Sequence, residues 1–171
     1  MGMAEELVEN EIRTPLTRHD PGAGRLSVYE RRFDLRWADV DQNAHLRHTA
    51  YLDYATQARM DCLCDCGVSL ADFQAANCGP ILLVETARYL REIGPQQRIC
   101  VRVELTGLSA DGRHFAMRNR LYRQDGELAA IVDVHGAWLD LVRRRLMSAP
   151  DWLVTAMSRM PRAADWAELA A

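Results

Sequence analysis

The sequence predicts an α+β domain in which one long helix lies across a curved antiparallel sheet of about five strands, and three observations carry that prediction. Tyr51, Tyr54, Ala55, Ala58, Cys62 and Cys66 recur at steps of three and four, so they form one buried stripe of a helix opposite Asp53, Gln57 and Cys64. Asp111-Gly112 and Asp125-Gly126 each stand between strand-like runs, and Asp-Gly favours tight hairpins because both positions tolerate positive φ. Ile99, Val101, Val103 and Leu105 alternate with Arg98, Cys100, Arg102 and Glu104, the period of a half-buried strand.

The elements follow in order. Residues 1–26, with Pro15, Pro21, Gly22 and Gly24, show no sustained period and read as a flexible arm. Val28, Phe33, Leu35 and Trp37 make a first strand within 26–37, which the polar cluster at 39–49 interrupts. The helix is bounded at about 50–66 by Thr49 as N-cap and Gly67 as the C′ residue. A loop with Asp72, Asn77, Gly79 and Pro80 leads to strands at 81–92, 98–108, 113–123 and 127–142, the last three joined by the Asp-Gly turns into a meander. Trp152, Leu153, Ala156, Met157, Trp166 and Leu169 suggest one or two amphipathic C-terminal helices. The expected organisation is an arm at 1–26, one domain at 27–150 and a helical extension at 151–171.

Composition narrows the function classes. At 171 residues and 49% hydrophobic content the chain buries one ordinary core. A net charge of -3 supplies no basic field for nucleic acid. The acidic start, Met1 to Glu11, lacks a secretory leader, and no apolar run approaches the roughly 20 residues that span a bilayer, so a cytoplasmic protein without a membrane partner is expected. Five cysteines in such a chain argue against a disulfide framework. A spacing of two on a helix throws neighbours about 200° apart, so Cys62, Cys64 and Cys66 do not converge on one ion, and Cys62 and Cys66 read as small buried hydrophobes.

Chemistry concentrates between the first strand and the helix. Asp39, Asp41, Asn43, His45 and His48 fall within ten residues. Asp-x-Asp-x-Asn resembles half a calcium loop, but Ala44 stands where such a loop needs Gly, and Ala50 where it needs Glu, which disfavours a metal. Local hydrogen bonding at a turn accounts for any one of these residues alone, yet the cluster exceeds what one turn and one cap require. A carboxylate, an imidazole and free N–H groups at a helix start supply what thioester hydrolysis needs: activation of water or direct attack, and donors for the oxyanion.

The segment from Asp39 to Tyr51 resembles the active-site turn of the 4-hydroxybenzoyl-CoA thioesterase group of hotdog-fold proteins, and the predicted strand and helix order agrees with that fold. The resemblance implies that Asp41 is the catalytic carboxylate and that the backbone N–H of His48 polarises the thioester carbonyl, with the His48 side chain assisting. Asp41, Asn43 and His45 also match the Asp-x-Asn-x-His pattern of plant acyl-ACP thioesterases, whose further Glu-Cys pair falls on Glu92-Ile93, without the cysteine. Asp41, Asn43, His45 and His48 are thus the implied catalytic set, with Tyr51 and Glu92 as substrate-binding residues; Glu85, which alternates onto one face with Ile81, Leu83, Ala87 and Tyr89, joins them as a second acid at the site or is instead a strand-edge or interface carboxylate. The implied activity is hydrolysis of an acyl-CoA or acyl-ACP thioester, in a homodimer or dimer of dimers, with no cofactor beyond the carrier of the substrate. A hotdog dehydratase or hydratase and a non-catalytic acyl-thioester-binding protein are the alternatives. Arg143-Arg144-Arg145 suits either coenzyme A phosphates or a solvated strand end, while His19, His114 and His135 read as structural or solvated.

Overall fold

A computed structural model of the chain describes residues 24–170. The expected arm at 1–26 therefore lies outside the described residues up to position 23. The elements are β1 (Glu30–Asp34), a 3-10 turn (Trp37–Asp39), α1 (His48–Asp65), α2 (Leu70–Ala75), β2 (Cys78–Tyr89), β3 (Arg98–Ser109), β4 (His114–Tyr122), β5 (Leu128–Asp140), β6 (Arg145–Met147), α3 (Asp151–Arg159) and β7 (Arg162–Leu169).

The sheet runs β1-β3-β4-β5-β2, with β6 added on β5 and β7 on β3. It therefore has seven strands rather than about five. Both additions come from the C-terminal part: β6 returns antiparallel on Trp138–Asp140, and β7 runs parallel to β3 beside Leu105–Ser109, continuing the row that β1 occupies beside Arg98–Arg102. The expected C-terminal helices reduce to one, α3, because the chain after Met160 finds an unpaired stretch of β3 and joins the sheet.

α1 lies across the concave face, packed on β3, β4, β5 and β1. Its buried stripe is small where it meets the sheet: Ala50, Ala55, Ala58 and Cys62 are fully buried, which lets the helix sit close over Ile99, Val101, Val103 and Leu105. Cys62 and Cys66 are buried on this face and Cys64 is exposed. The helix ends as the sequence indicates, with Gly67 at φ 102, in the left-handed region that glycine tolerates best. Its start differs: the helix begins at His48, with Arg47 in the N-cap position and no side chain capping it. Thr49 is not the cap, because its hydroxyl accepts a hydrogen bond from the Arg47 guanidinium instead.

β2 is an edge strand with a bulge between Leu82 and Val84. Ile81 pairs with Ala137 but Glu85 pairs with Val134; four residues on β2 match three on β5, so the two side chains face opposite sides of the sheet. Glu85, Ala87 and Tyr89 consequently point to the same side as the buried Val134, Val132 and Ala130. Among the described residues no helix is long and apolar enough to cross a membrane.

Opposite the bulge the backbone needs the absence of a side chain. A Cβ at Gly136 would lie 2.6 Å from the Ile81 carbonyl oxygen and closer still to the Phe115 ring. Gly136→Ala is expected to lower stability by about 1–3 kcal/mol through overpacking, read as a lower urea midpoint with an unchanged slope.

Candidate active site

The site is built by the connection from β1 to α1, and a buried carboxylate anchors it. The 3-10 turn swings Asp39 inward, where it is fully buried. Arg36 grips it with Nε to Oδ2 and Nη2 to Oδ1, both at 2.9 Å, and the Tyr54 hydroxyl donates to Oδ2 at 2.5 Å. The Asp39 carbonyl accepts from the Arg47 N–H at 2.7 Å, and Arg47 Nη2 lies 3.5 Å from Oδ1. The Arg36 guanidinium, with the Tyr54 hydroxyl, holds the Asp39 carboxyl well below the usual carboxylate range against the opposing effect of burial. Burial raises the Tyr54 hydroxyl in turn, and the Asp39 charge adds to the shift.

Between these anchors the chain makes a tight excursion. Val40 and Leu46 form an isolated bridge, the Asp41 N–H donates to the His45 carbonyl at 2.8 Å, and the Ala44 N–H donates to the Asp41 carbonyl at 3.0 Å. Ala44 sits at φ 59, the left-handed conformation, so alanine here adopts a shape glycine would take at less cost. The Asp41 carboxylate folds back over the turn: Oδ1 accepts from the N–H of Asn43 at 2.8 Å and of His45 at 3.2 Å. Its other oxygen has no hydrogen bond within the described residues, and the side chain is exposed. The turn thus fixes the direction of Asp41 while leaving one of its oxygens unbonded among the described residues.

The start of α1 is presented beside it. The first N–H groups of a helix have no intrahelical partner, and no side chain caps them here, so the donors at His48 and Thr49 face outward with the positive end of the helix dipole. A cleft of about 370 Å³ lies at this point, lined by Asp41, His45, Leu46, His48, Tyr51, Tyr89, Leu90, Arg91 and Glu92. Tyr51 and Tyr89 meet edge to face at 5.2 Å between ring centroids. The Tyr51 hydroxyl donates to the Arg91 carbonyl at 3.4 Å, and burial pushes its pKa up to about 12. The Tyr89 hydroxyl donates to the His48 carbonyl at 3.3 Å.

Of the residues singled out from the sequence, Asp41, His45, His48, Tyr51 and Glu92 converge on this cleft. Asn43 lies outside its lining; its backbone N–H steers Asp41, and its residue is exposed. Glu85 is also outside, further down β2, where it pairs with Arg59 at 3.3 Å. Tyr89 and Arg91 were not foreseen as site residues. Tyr89 was visible in the alternation of β2 with Glu85 and Ala87, but the pattern alone does not say which face meets the cleft. Arg143 to Arg145 lie exposed at the turn between β5 and β6, with Arg143 bonded to Asp140.

This arrangement agrees with what the chain is similar to. Residues 35–157 match the family model of the thioesterase-like superfamily, and the chain belongs to that superfamily. Its fold is the hotdog fold of solved thioesterases. A hypothetical protein of Staphylococcus aureus, solved in complex with CoA, superposes with a TM-score of 0.73 at 18% identity, over 84% of this chain and 92% of that one. A 1,4-dihydroxy-2-naphthoyl-CoA thioesterase from Synechocystis gives 0.69 at 17% identity, over 76% and 95%. A thioesterase complexed with coenzyme A and Zn from Thermus thermophilus gives 0.64 at 23% identity, over 77% and 91%. No curated protein matches the chain.

The anchor yields a pH-dependent expectation. The folded-state pKa of Asp39 is depressed, so the stability it confers is fully present above the ordinary carboxylate range and is lost as pH falls through the folded value. Asp39→Asn is expected to destabilise the protein by about 2 kcal/mol near neutrality. The difference from wild type should shrink only as pH falls below about 4; urea titrations between neutrality and strongly acidic pH measure it.

Proposed function

We propose that the cleft hydrolyses an acyl thioester of coenzyme A or of acyl carrier protein to free acid and thiol. The carrying observation is one geometric fact. Asp41 has one oxygen locked by its own turn and the other free, beside an uncapped helix start that lines the same cleft.

In this reading the thioester carbonyl lies at the start of α1, where the N–H groups of His48 and Thr49 receive the negative charge that develops on its oxygen. Asp41 either takes a proton from water as that water attacks the carbonyl carbon, or attacks the carbon itself to give an anhydride that water then opens. In both routes the carbon–sulfur bond breaks and the thiol leaves with a proton. His45 and His48 stand at the cleft to orient water or pass that proton, and Asn43 helps through its N–H bond to Asp41. Tyr51 and Glu92 would contact the substrate from the cleft wall. The family match and the CoA-bound neighbours support this reading, while the choice of carrier rests on the proposal alone.

The site is proposed to be completed by a second copy of the chain. Among the described residues β2 is hydrogen-bonded only to β5, and it exposes Leu82, Leu83 and Val84 in sequence. A long unpaired apolar edge invites strand pairing, and pairing two β2 strands antiparallel would enclose the groove below the cleft.

Two measurements follow. Release of free thiol from a panel of acyl-CoA and acyl-ACP substrates is expected for the wild type, with a loss of about 100-fold or more in Asp41→Asn and Asp41→Ala; equal turnover in all three proteins would refute the assignment. Hydration of crotonyl-CoA without thiol release would point to the dehydratase class, and acyl-CoA binding without turnover to a binding protein. Sedimentation equilibrium is expected to give twice the chain mass for the wild type, and the single-chain mass for Val84→Lys.

A further inference from the structure

Arg59 is an anomaly in the buried stripe of α1. Its side chain is 7% exposed, and its guanidinium reaches over the sheet. Nη1 donates to Asn119 Oδ1 at 2.9 Å, while Nη2 donates to Thr56 Oγ1 at 2.8 Å and to Glu85 Oε1 at 3.3 Å. Asn119, fully buried on β4, donates in turn to the Ala55 carbonyl at 3.4 Å. Its cross-strand partners are Val103 and Val132, both fully buried, so the cluster interrupts an otherwise apolar layer. Stability gives little reason for such a pair, since well-packed apolar residues in place of a buried ion pair are often neutral or stabilising.

Its position gives a reason. α1 makes little contact with β2, and Thr56 on the helix and Glu85 and Tyr89 on the inward-facing side of the strand stay exposed, which leaves the space between helix and edge strand open as a groove. Tyr89 marks its upper end, bonded to the first residue of the helix. Glu85 lies four residues down the strand, about 13 Å away at strand spacing. On the opposite wall Thr56 lies eight residues after His48, about 12 Å along the helix. Both walls therefore place the cluster at one depth below the helix-start amides, and the Glu85 side chain, 25% exposed, reaches the groove.

We propose that Thr56, Arg59 and Glu85 form a specificity site for a hydroxyl group carried by the acyl chain about 12 Å from the thioester carbonyl; this rests on the thioesterase reading of the cleft above. The chemistry selects a neutral group that both donates and accepts. Arg59 and Glu85 cancel in charge, so a carboxylate there would meet Glu85 and an ammonium would meet Arg59. A hydroxyl donates to Glu85 and accepts from Arg59 or Thr56. A plain hydrocarbon end at that depth would strip water from the partly exposed Glu85 carboxylate and return no hydrogen bond, which a polar site rejects far more strongly than an apolar pocket rejects an extra hydroxyl.

The test compares 10-hydroxydecanoyl-CoA with decanoyl-CoA on the full-length protein. The wild type is expected to favour the hydroxylated substrate in kcat/KM by about tenfold or more. The double variant Arg59→Met, Glu85→Leu is expected to reverse the preference, because both charged groups are replaced by apolar ones and only the Thr56 hydroxyl remains. Should that variant fail to fold by circular dichroism, Glu85→Gln, at a partly exposed position, carries the comparison, with the preference reduced about threefold or more. A wild-type ratio near one, or the same ratio in wild type and a folded variant, overturns the proposal. If the wild type hydrolyses neither substrate, the thioesterase reading fails separately. Calorimetry with 10-hydroxydecanoate and decanoate then decides the specificity site: tighter hydroxy-acid binding that is lost in the variant supports it, and equal affinities overturn it.

Discussion

The buried Asp39 carboxylate is the constraint on which the site depends. It joins three pieces of chain that would otherwise move independently: the exit from β1 through Arg36, the entry to α1 through Arg47, and the body of the helix through Tyr54. With both ends of the excursion fixed in this way, the residues between them are held in a turn that faces solvent. The division of labour between the two aspartates follows from their surroundings. The Asp39 carboxylate is held by three residues, Arg36, Arg47 and Tyr54, and is fully buried; Asp41 has two backbone donors on one oxygen and none on the other, and lines an open cleft. Two carboxylates two residues apart become a buried anchor and an exposed group at a cleft by environment alone, the contrast on which the proposed role of Asp41 rests.

The site also shows where the fold gives up local stability. An uncapped helix start forgoes about 1 kcal/mol that a Ser or Asp cap supplies, and a left-handed alanine at position 44 costs about 1–2 kcal/mol relative to an ordinary conformation. The helix start lines the cleft and Ala44 lies in the turn that carries Asp41 and His45, and the missing cap leaves free the donors that the proposed reaction would use for an oxyanion. Thr49 stands close enough in sequence to serve as a cap, yet its hydroxyl is engaged by Arg47. Unsatisfied donors and strained backbone gather beside the proposed substrate cleft, as expected of a site organised before its ligand arrives.

Much of this was legible in the residues, for reasons that also mark the limit. The helix stripe and the alternation of β3 are periodic, and periodicity reports burial directly; Ile99, Val101, Val103 and Leu105 are all fully buried as their pattern requires. The Asp-Gly turns report local geometry, and β3, β4 and β5 follow in order. What escaped depends on distant partners. Residues 162–169 read as helical from Trp166 and Leu169, but a vacant stretch of β3 recruits them as a parallel strand, which no local pattern encodes. The bulge at Leu82 to Val84 reverses the facing of β2 below Glu85, so simple alternation misplaces Ile81. Asp39 looked like one more member of a reactive cluster, and only the arrival of Arg36, Arg47 and Tyr54 shows that it is an anchor. Arg59 hid inside an apolar stripe because a polar residue is accepted there through Asn119, sixty positions away in the chain.

The groove below the cleft links these features into one physical picture. Its walls are α1 and the inward-facing side of β2, β5 lies beside β2, and among the described residues no strand pairs with the side of β2 away from β5. Left open, Glu85 stays partly hydrated and its pairing with Arg59 is screened. A second copy laid along the exposed edge would remove that water, and the same hydrogen bonds would then act in a lower dielectric, where a matched group gains more and an unmatched one loses more. Pairing along β2, if it forms the proposed dimer, would therefore couple to the proposed discrimination by the Arg59 cluster: the edge that exposes Leu82, Leu83 and Val84 is also the edge whose closure would sharpen what the groove accepts.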